Sequence, residues 1–387
     1  MKIFLVGGGS GGHVTPLRAI NESLKRLSKE DHDVTVITDR GFYSETTSIF
    51  KDDSSVQIKK IYCGKYRRYK SKSFLWHIAH LPTLLKNIRD VFLLGIGFLQ
   101  SVIYFLTHKP DVVFCKGGFV CIPIGLATKL FSVPLIIHDS DTRPGLTNRI
   151  LARWAIKIGT GMPTTFYPYP KKLMVYTGIP VNTEYQAITK RQQSDFKEAL
   201  QLDVNRPLLL VTGGGNGASS LNQQVVSAAP ALLDAGFSIV HLVGNGKANS
   251  VINARAQLSS LRSEQWQIEE FAEMVPRLLA ADIVVSRTSA STLQECANAK
   301  KMVIGIASPY LEDQKMNAEY FASKEAIISL DETMLSSDGS DLFTVITELK
   351  NSAHTTAKYA ENLHTYFAKP AAADTLAQMI LECNTSS

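Results

Sequence analysis

The sequence predicts an α/β protein built from two doubly wound parallel-sheet domains facing across a cleft. Three observations carry that prediction. Short β-branched runs alternate with helix-length segments along nearly the whole chain, and continuous apolar strands spaced by helices belong to parallel sheets covered on both faces. Each half opens with a strand that runs into a glycine-rich turn. A length of 387 residues with 45% hydrophobic and 20% charged composition suffices for two domains at roughly 100–200 residues each. Such a composition excludes wholesale disorder and collagen-like repeats.

Taken in order, the strands expected in the first half are Lys2–Val6, Asp33–Thr38, Gln57–Ile61, Asp111–Cys115, Pro134–Asp139 and Lys157–Gly161. Those of the second half are Pro207–Thr212, Ser238–Gly244, Gln267–Phe271, Asp282–Arg287, Met302–Ile306 and Ala326–Leu330. The first helix shows its period plainly: Leu17, Ile20, Leu24 and Leu27 share one face while Arg18, Glu22, Lys25 and Arg26 point away. Pro163, Pro168, Pro170 and Pro180 mark a linker between the halves, and Pro370 marks a second break. The domains expected are therefore 1–177 and 178–369, followed by a helix in 370–387 that docks back on the first domain through Leu376, Met379 and Ile380.

The five cysteines, Cys63, Cys115, Cys121, Cys296 and Cys383, form no CxxC pair. That argues against a disulfide framework or a structural zinc and for a reducing compartment. Before the first glycines only Ile3–Val6 is apolar, short of the roughly 7–15 residues of a signal peptide core.

The two turns are the first candidate binding elements. Gly7-Gly8-Gly9-Ser10-Gly11-Gly12-His13 leads from the first strand into the Leu17 helix, and Gly213-Gly214-Gly215-Asn216-Gly217 follows Pro207–Thr212. Glycines let a ligand approach the backbone, and the helix N-terminus offers free N–H groups to a phosphate or diphosphate. Gly7-x-Gly9-x-x-Gly12 also fits a dinucleotide fingerprint with Asp39 on the ribose, and a purely structural tight turn is the plain alternative. Two such turns suit two domains that clasp one substrate at the carboxyl ends of their strands.

His13 stands at the start of its helix, where the positive helix end favours a neutral imidazole able to accept a proton. A histidine that only holds the loop is the alternative. His138-Asp139-Ser140-Asp141 ends another strand with an imidazole and two carboxylates, candidates for general-base work or for loop capping. Arg287-Thr288-Ser289-Ala290-Ser291-Thr292-Leu293-Gln294-Glu295 offers hydroxyls and helix N–H groups to a diphosphate, and Glu295 to a ribose. Thr292 and Glu295 equally match a capping box.

The net charge of +6 is uneven. Between Gln57 and Lys72 lie Lys59, Lys60, Lys65, Arg67, Arg68, Lys70 and Lys72 with no acidic residue, interleaved with Tyr62, Tyr66 and Tyr69. Phe74, Leu75 and Trp76 follow. Basic residues beside aromatics suit the interface of an anionic leaflet, and a solvated basic loop is the alternative. Val91–Leu106 is largely apolar but shorter than the roughly 20 residues of a spanning helix, so it is expected as a buried helix of the first domain.

In their order and spacing these motifs resemble the MurG-type peptidoglycan glycosyltransferases, glycosyltransferase family 28. The resemblance runs from Lys2 to about Ala318. Its elements are Gly8–Val14 with Pro16, Lys116-Gly117-Gly118-Phe119-Val120, His138–Asp141 with Pro144–Asn148, Gly178-Ile179-Pro180-Val181, Gly213–Ala218 with Leu221-Asn222, Arg287–Glu295, and Asp313-Gln314 with Asn317-Ala318. It implies a GT-B fold and an inverting, metal-independent transfer of N-acetylglucosamine from UDP-N-acetylglucosamine to a lipid-linked muramyl pentapeptide. The enzyme would be peripheral on the cytoplasmic face of the cell membrane, with no cofactor and no nucleic-acid partner. Ser10, Gly11, Gly12, Asp141, Asn182, Gly214, Gly215, Asn216, Gly217, Arg287, Ala290 through Glu295 and Gln314 would contact the donor. Gly8, Gly9, Gly117 and Gly118 would meet the acceptor, and His13 and Asp139 would be catalytic. Asp141, Asp139, Gly215, Ser289 and Asn182 depart from the family's usual asparagine, glutamate, serine, glycine and arginine. The other readings are a related transferase with a different lipid-linked acceptor, a sugar-nucleotide 2-epimerase, a nicotinamide oxidoreductase and a non-catalytic membrane scaffold.

Overall fold

The computed structural model describes residues 1–65, 80–215 and 217–384. Arg67, Arg68, Lys70, Lys72, Phe74, Leu75, Trp76 and Asn216 lie outside the described residues. Among those described, the chain divides into two compact units, one of Met1–Ser140, Pro144–Pro180 and Ala371–Ser387, the other of Asp141–Arg143 and Val181–Pro370. The first unit therefore extends past residue 177 to Pro180, and three residues from within its sequence belong to the second.

Unit 1 holds β1 (Lys2–Gly7), β2 (Asp33–Asp39), β3 (Gln57–Ile61), β4 (Val112–Gly117), β5 (Leu135–Asp139), β6 (Lys157–Thr160) and β7 (Met174–Tyr176). They form one parallel sheet in the order β3-β2-β1-β4-β5-β6-β7. Unit 2 holds β8 (Leu208–Thr212), β9 (Ser238–Leu242), β10 (Trp266–Glu269), β11 (Ile283–Arg287), β12 (Met302–Ala307) and β13 (Ile328–Asp331). Its parallel order is β10-β9-β8-β11-β12-β13. Each expected strand is present. β4, β5, β8, β9, β11 and β12 are buried throughout, as parallel strands covered on both faces must be. Both sheets reverse direction beside their first strand, at β1/β4 and at β8/β11. Loops leaving the carboxyl ends there open a crevice that α/β proteins use for ligands.

Two expectations fail. The proline-rich stretch is not a bare linker: it carries β7, an edge strand too short and too proline-flanked to stand out in the sequence. Val91–Leu106 is not a buried helix either. It belongs to a 28-residue helix, Leu81–His108, whose interior face is mostly polar and small: Thr83, Asn87, Asp90, Gly97 and Ser101 are buried, with Phe105 as the large apolar exception. A Cβ on Gly97 would sit 1.9 Å from the Tyr62 carbonyl oxygen, and the Tyr62 N–H donates to Gln100 Oε1 at 2.8 Å. Leu85, Ile88, Phe92, Leu99, Ile103 and Leu106 fall at helical spacing on the opposite face, and Phe92 is 71% exposed. An 18-residue window of this helix has a mean hydropathy of 1.7, enough by length and composition to cross a bilayer.

The C-terminal helix Ala372–Leu381 returns to unit 1. Leu376, Met379 and Ile380 join Leu17, Ile20 and Leu24 of the Gly11–Leu27 helix in one core cluster, and Arg26 pairs with Asp374.

Candidate active site

In unit 1 the switch point is built from glycines because backbones meet there. A Cβ on Gly7 would lie 2.4 Å from the His13 carbonyl oxygen, and one on Gly118 2.4 Å from the Gly8 carbonyl oxygen. Gly117 and Gly118, at φ +135° and +86°, hold conformations that a side chain would strain. Asp39, the ribose candidate of the dinucleotide reading, is used inside the turn: its Oδ1 accepts from the Gly9 N–H at 2.6 Å.

Ser10 is the extended residue that precedes the Gly11–Leu27 helix, and its side chain makes no cap hydrogen bond. The first N–H groups, at Gly11 and Gly12, therefore have no intrahelical partner. His13 Nδ1 lies 2.9 Å from the Gly8 carbonyl oxygen and 3.2 Å from Ser10 Oγ. A carbonyl accepts only, so the proton is on Nδ1 and Nε2 keeps a lone pair. Burial, and then the nearby Lys116 ammonium, lower the His13 pKa to about 4, against a smaller opposing effect of the Gly8 bond. The ring is neutral at physiological pH, with its Nε2 side beside Gly117.

His138, on β5, is fully buried. Its Nε2 donates to the Gly178 carbonyl at 2.8 Å, and burial, then Lys116, hold its pKa well below the usual imidazole value. Asp139 accepts from the Tyr169 hydroxyl at 2.7 Å and from the Gly145 N–H at 3.3 Å. It braces the loop that begins the Leu146–Leu151 helix. The next residues switch unit: Asp141 Oδ1 accepts from Asn317 Nδ2 at 3.0 Å, and Asn317 Oδ1 takes the Thr142 N–H and hydroxyl at 3.1 and 3.0 Å.

In unit 2, Gly214 and Gly217 are left-handed at φ +77° and +62°, and the Gly217 N–H donates to the Gly214 carbonyl at 2.8 Å. A Cβ on Gly214 or Gly215 would meet nothing within 4 Å, so this edge of the turn is open to a ligand. Helix Ser219–Asp234 follows, with Ala218 at its cap position and no side-chain cap.

The segment after β11 divides into braces and open groups. Arg287 is buried and bidentate on Glu332, at 2.9 and 2.8 Å, and it donates to Ser220 Oγ at 2.6 Å. Its charge is paired with the turn after β13, and the Ser220 bond ties β11 to the second glycine helix. Burial raises the Glu332 pKa, but the bonds from Arg287 and Ser220 outweigh it and the net shift is downward. The cap of helix Ala290–Asn298 is Ser289, accepting from the Thr292 N–H at 3.4 Å, so the capping pattern begins a turn earlier than Thr292. Leu293 is in the core, and Gln294 Nε2 donates to Asn298 Oδ1 and the Phe367 carbonyl at 3.0 and 2.8 Å. Ala290 and Ser291 keep helix N–H groups without an intrahelical partner. Glu295 is part-exposed, and burial pushes its carboxyl up to about 8. Gln314 Oε1 is buried with no protein partner, while its carbonyl takes the Thr288 hydroxyl at 2.7 Å. Asn182 is engaged locally, accepting from the Glu184 N–H at 2.9 Å.

Sequence reasoning missed Glu332 and Tyr169, and it read Lys116 only as the first residue of a glycine motif. Only Lys116 left a signal, a lysine inside an otherwise apolar strand. Glu332 and Tyr169 are separated from their partners by about 30 residues or more and have no local pattern.

The chain is similar to known proteins over most of its length. The glycosyltransferase family 28 N-terminal domain matches residues 3–160, and the family's C-terminal domain matches residues 208–376. A UDP-N-acetylglucosamine--N-acetylmuramyl-(pentapeptide) pyrophosphoryl-undecaprenol N-acetylglucosamine transferase from Lachnospira eligens is 35% identical over 324 residues, 83% of each chain. The crystal structure of Acinetobacter baumannii MurG superposes with a TM-score of 0.70 at 20% identity, covering 98% of this chain and 99% of that one. A Neisseria meningitidis UDP-GlcNAc 2-epimerase bound to UDP-GlcNAc superposes with a TM-score of 0.64 at 16% identity, covering 99% and 100%.

Proposed function

The chain belongs to glycosyltransferase family 28, and from that premise we propose that it moves N-acetylglucosamine from UDP-N-acetylglucosamine to undecaprenyl-diphosphate-linked N-acetylmuramyl pentapeptide, a step of peptidoglycan synthesis. The observation that carries this reading is the 35% identity to a named transferase over 83% of the chain. The fold by itself is shared with an epimerase at 16% identity and does not separate the two chemistries.

We assign the donor to unit 2. The open edge at Gly214 and Gly215, the N–H groups of Ala290 and Ser291, Gln314 Oε1 and the Glu295 carboxyl are the groups available to a nucleotide sugar. Two helix N-termini supply partial positive charge to the departing diphosphate. That is the basis for a metal-independent transfer, and activity in excess EDTA tests it. The acceptor belongs to unit 1, at the glycines of the β1 and β4 loops. There the acceptor hydroxyl attacks the anomeric carbon, His13 Nε2 takes its proton, and UDP leaves. Asp139 acts as a positioning residue through Gly145 and Tyr169, and Arg287 as a brace for the β8 and β11 loops.

A lipid-linked acceptor calls for a membrane surface. The outward apolar face of Leu81–His108, next in sequence to the basic run, suits peripheral docking on an anionic leaflet at the cytoplasmic side.

The test is UDP release from UDP-N-acetylglucosamine with and without a short-chain lipid-linked acceptor, beside a UDP-galactose control. Acceptor-dependent release with the first donor alone is expected. Acceptor-independent conversion of the donor sugar would establish an epimerase instead.

A further inference from the structure

Arg287 brings no net positive charge to the donor groups of unit 2, because its guanidinium is bidentate on Glu332. A cation reaches the second glycine turn from a different element. β9 ends against that turn: a Cβ on Gly217 would lie 2.2 Å from the Val243 carbonyl oxygen. Asn222 Nδ2, on the helix that follows the turn, donates to the same carbonyl at 3.0 Å. The chain then forms the loop Gly244-Asn245-Gly246-Lys247. The Gly244 N–H donates to the Glu270 carbonyl at 3.1 Å, the Gly246 N–H to Glu270 Oε1 at 3.1 Å, and the Lys247 N–H closes back on the Gly244 carbonyl at 3.2 Å. Lys247 ends the loop as the residue before the Ala248–Ala256 helix. Its Nζ donates to the Gly217 carbonyl at 3.1 Å.

We propose that Lys247 is a donor-binding residue, its ammonium supplying the positive charge that holds the diphosphate of the nucleotide sugar at the second glycine turn. The proposal rests on unit 2 being the donor's unit. A backbone carbonyl fixes an ammonium in place without neutralising it, so the charge remains at the turn. The same turn carries Gly214 and Gly215, where a Cβ would meet nothing within 4 Å. It leads into helix Ser219–Asp234, which has no side-chain cap and whose end carries partial charge of the same sign as the lysine. A lysine beside a glycine turn and a helix N-terminus is suited to phosphate oxygens, which it meets as a point charge.

Three acids of unit 2 bear on this charge. Glu332 is matched by Arg287. Glu295, its carboxyl raised to about 8 by burial, is largely neutral at physiological pH. Glu270 accepts from the Gly246 N–H and shapes the loop that presents Lys247. The plainer role for Lys247 is to tie the β9 loop to the turn, and a neutral donor would serve that equally. The two roles differ in what they do to a ligand with and without phosphate.

The experiment measures UDP binding by calorimetry and uridine binding by ligand-observed NMR, for wild type, Lys247→Met, Lys247→Gln and Lys247→Arg, with circular dichroism on each. Uridine keeps the base and ribose but carries no phosphate. Lys247→Gln keeps a donor for the Gly217 carbonyl and serves if the methionine variant does not fold. Losing the charge should weaken UDP binding about tenfold or more while uridine binding stays within about twofold, and Lys247→Arg should recover most of the UDP affinity. Equal losses for UDP and uridine overturn the proposal and leave Lys247 as a loop tie. Unchanged UDP affinity in a folded neutral variant overturns it too, while the donor assignment stands. If the wild type binds no UDP, the donor assignment falls and the role of Lys247 falls with it.

Discussion

The Gly8 carbonyl takes the Nδ1 proton of His13, which leaves Nε2 as the accepting atom, and the depressed pKa of about 4 keeps it free across the physiological range. General-base removal usually costs about 10²–10⁴-fold in turnover. His13→Ala should therefore lower kcat by that order while donor affinity, read by calorimetry, stays within about twofold. In unit 2, Glu295 shows the opposite displacement, a carboxyl raised from 4.5 to about 8 by burial. Between those two values the folded chain holds a proton that the unfolded chain has released, so this group's contribution to stability falls as pH rises through that window. Glu295→Gln removes the dependence. Its urea midpoint should gain on that of the wild type steadily from pH 5 to pH 8, and a constant difference would mean a hydrated carboxyl.

At the scale of elements, the Leu81–His108 helix inverts the usual arrangement. Gly97 lets the Tyr62 carbonyl approach, and Gln100 takes the Tyr62 N–H, so backbone contact decides which face is inward; Phe105 stays inside while Leu85, Ile88, Phe92, Leu99, Ile103 and Leu106 are left outside. Large exposed apolar patches mark interaction surfaces. Burying one such side chain is worth about 1.5–3 kcal/mol, so Phe92→Ser with Leu99→Ser should weaken partition to anionic vesicles at least about tenfold. Circular dichroism and turnover on a soluble acceptor analogue should stay unchanged, and wild-type partition should fall with added salt as surface charges are screened. The paired glycine turns are elements of a different kind, in which the backbone itself carries the site.

For the whole molecule, the chain path matters as much as either sheet. It leaves unit 1 at Ser140 for three residues, returns at Pro144, crosses again after Pro180, and comes back at Ala371. Unit 1 is consequently incomplete without the chain's last helix, which covers Leu17, Ile20 and Leu24. Ile380→Ala should destabilise that unit by about 2–5 kcal/mol, the usual cost of truncating a fully buried Ile. Hydrogen exchange should localise the loss to β1, β2 and the Gly11–Leu27 helix, with unit 2 protected as before. Equal loss in both units would show that they unfold as one.

Much of this was legible in the sequence alone. Continuous apolar strands and glycine turns depend on neighbours a few residues away, so the two sheets, the strand positions, the docking helix and the family's motif order could all be read from local pattern. What remained was decided by partners distant along the chain. Arg287 and Gln294 donate to Glu332 and to the Phe367 carbonyl, 45 and 73 residues away. Asp139 accepts from Tyr169, 30 residues away, as well as from Gly145. The face of the Leu81–His108 helix and the burial of Lys116 were settled in the same way. A side chain's chemistry is encoded in its residue type, but its availability depends on which groups compete for it, and only tertiary packing brings those competitors within reach.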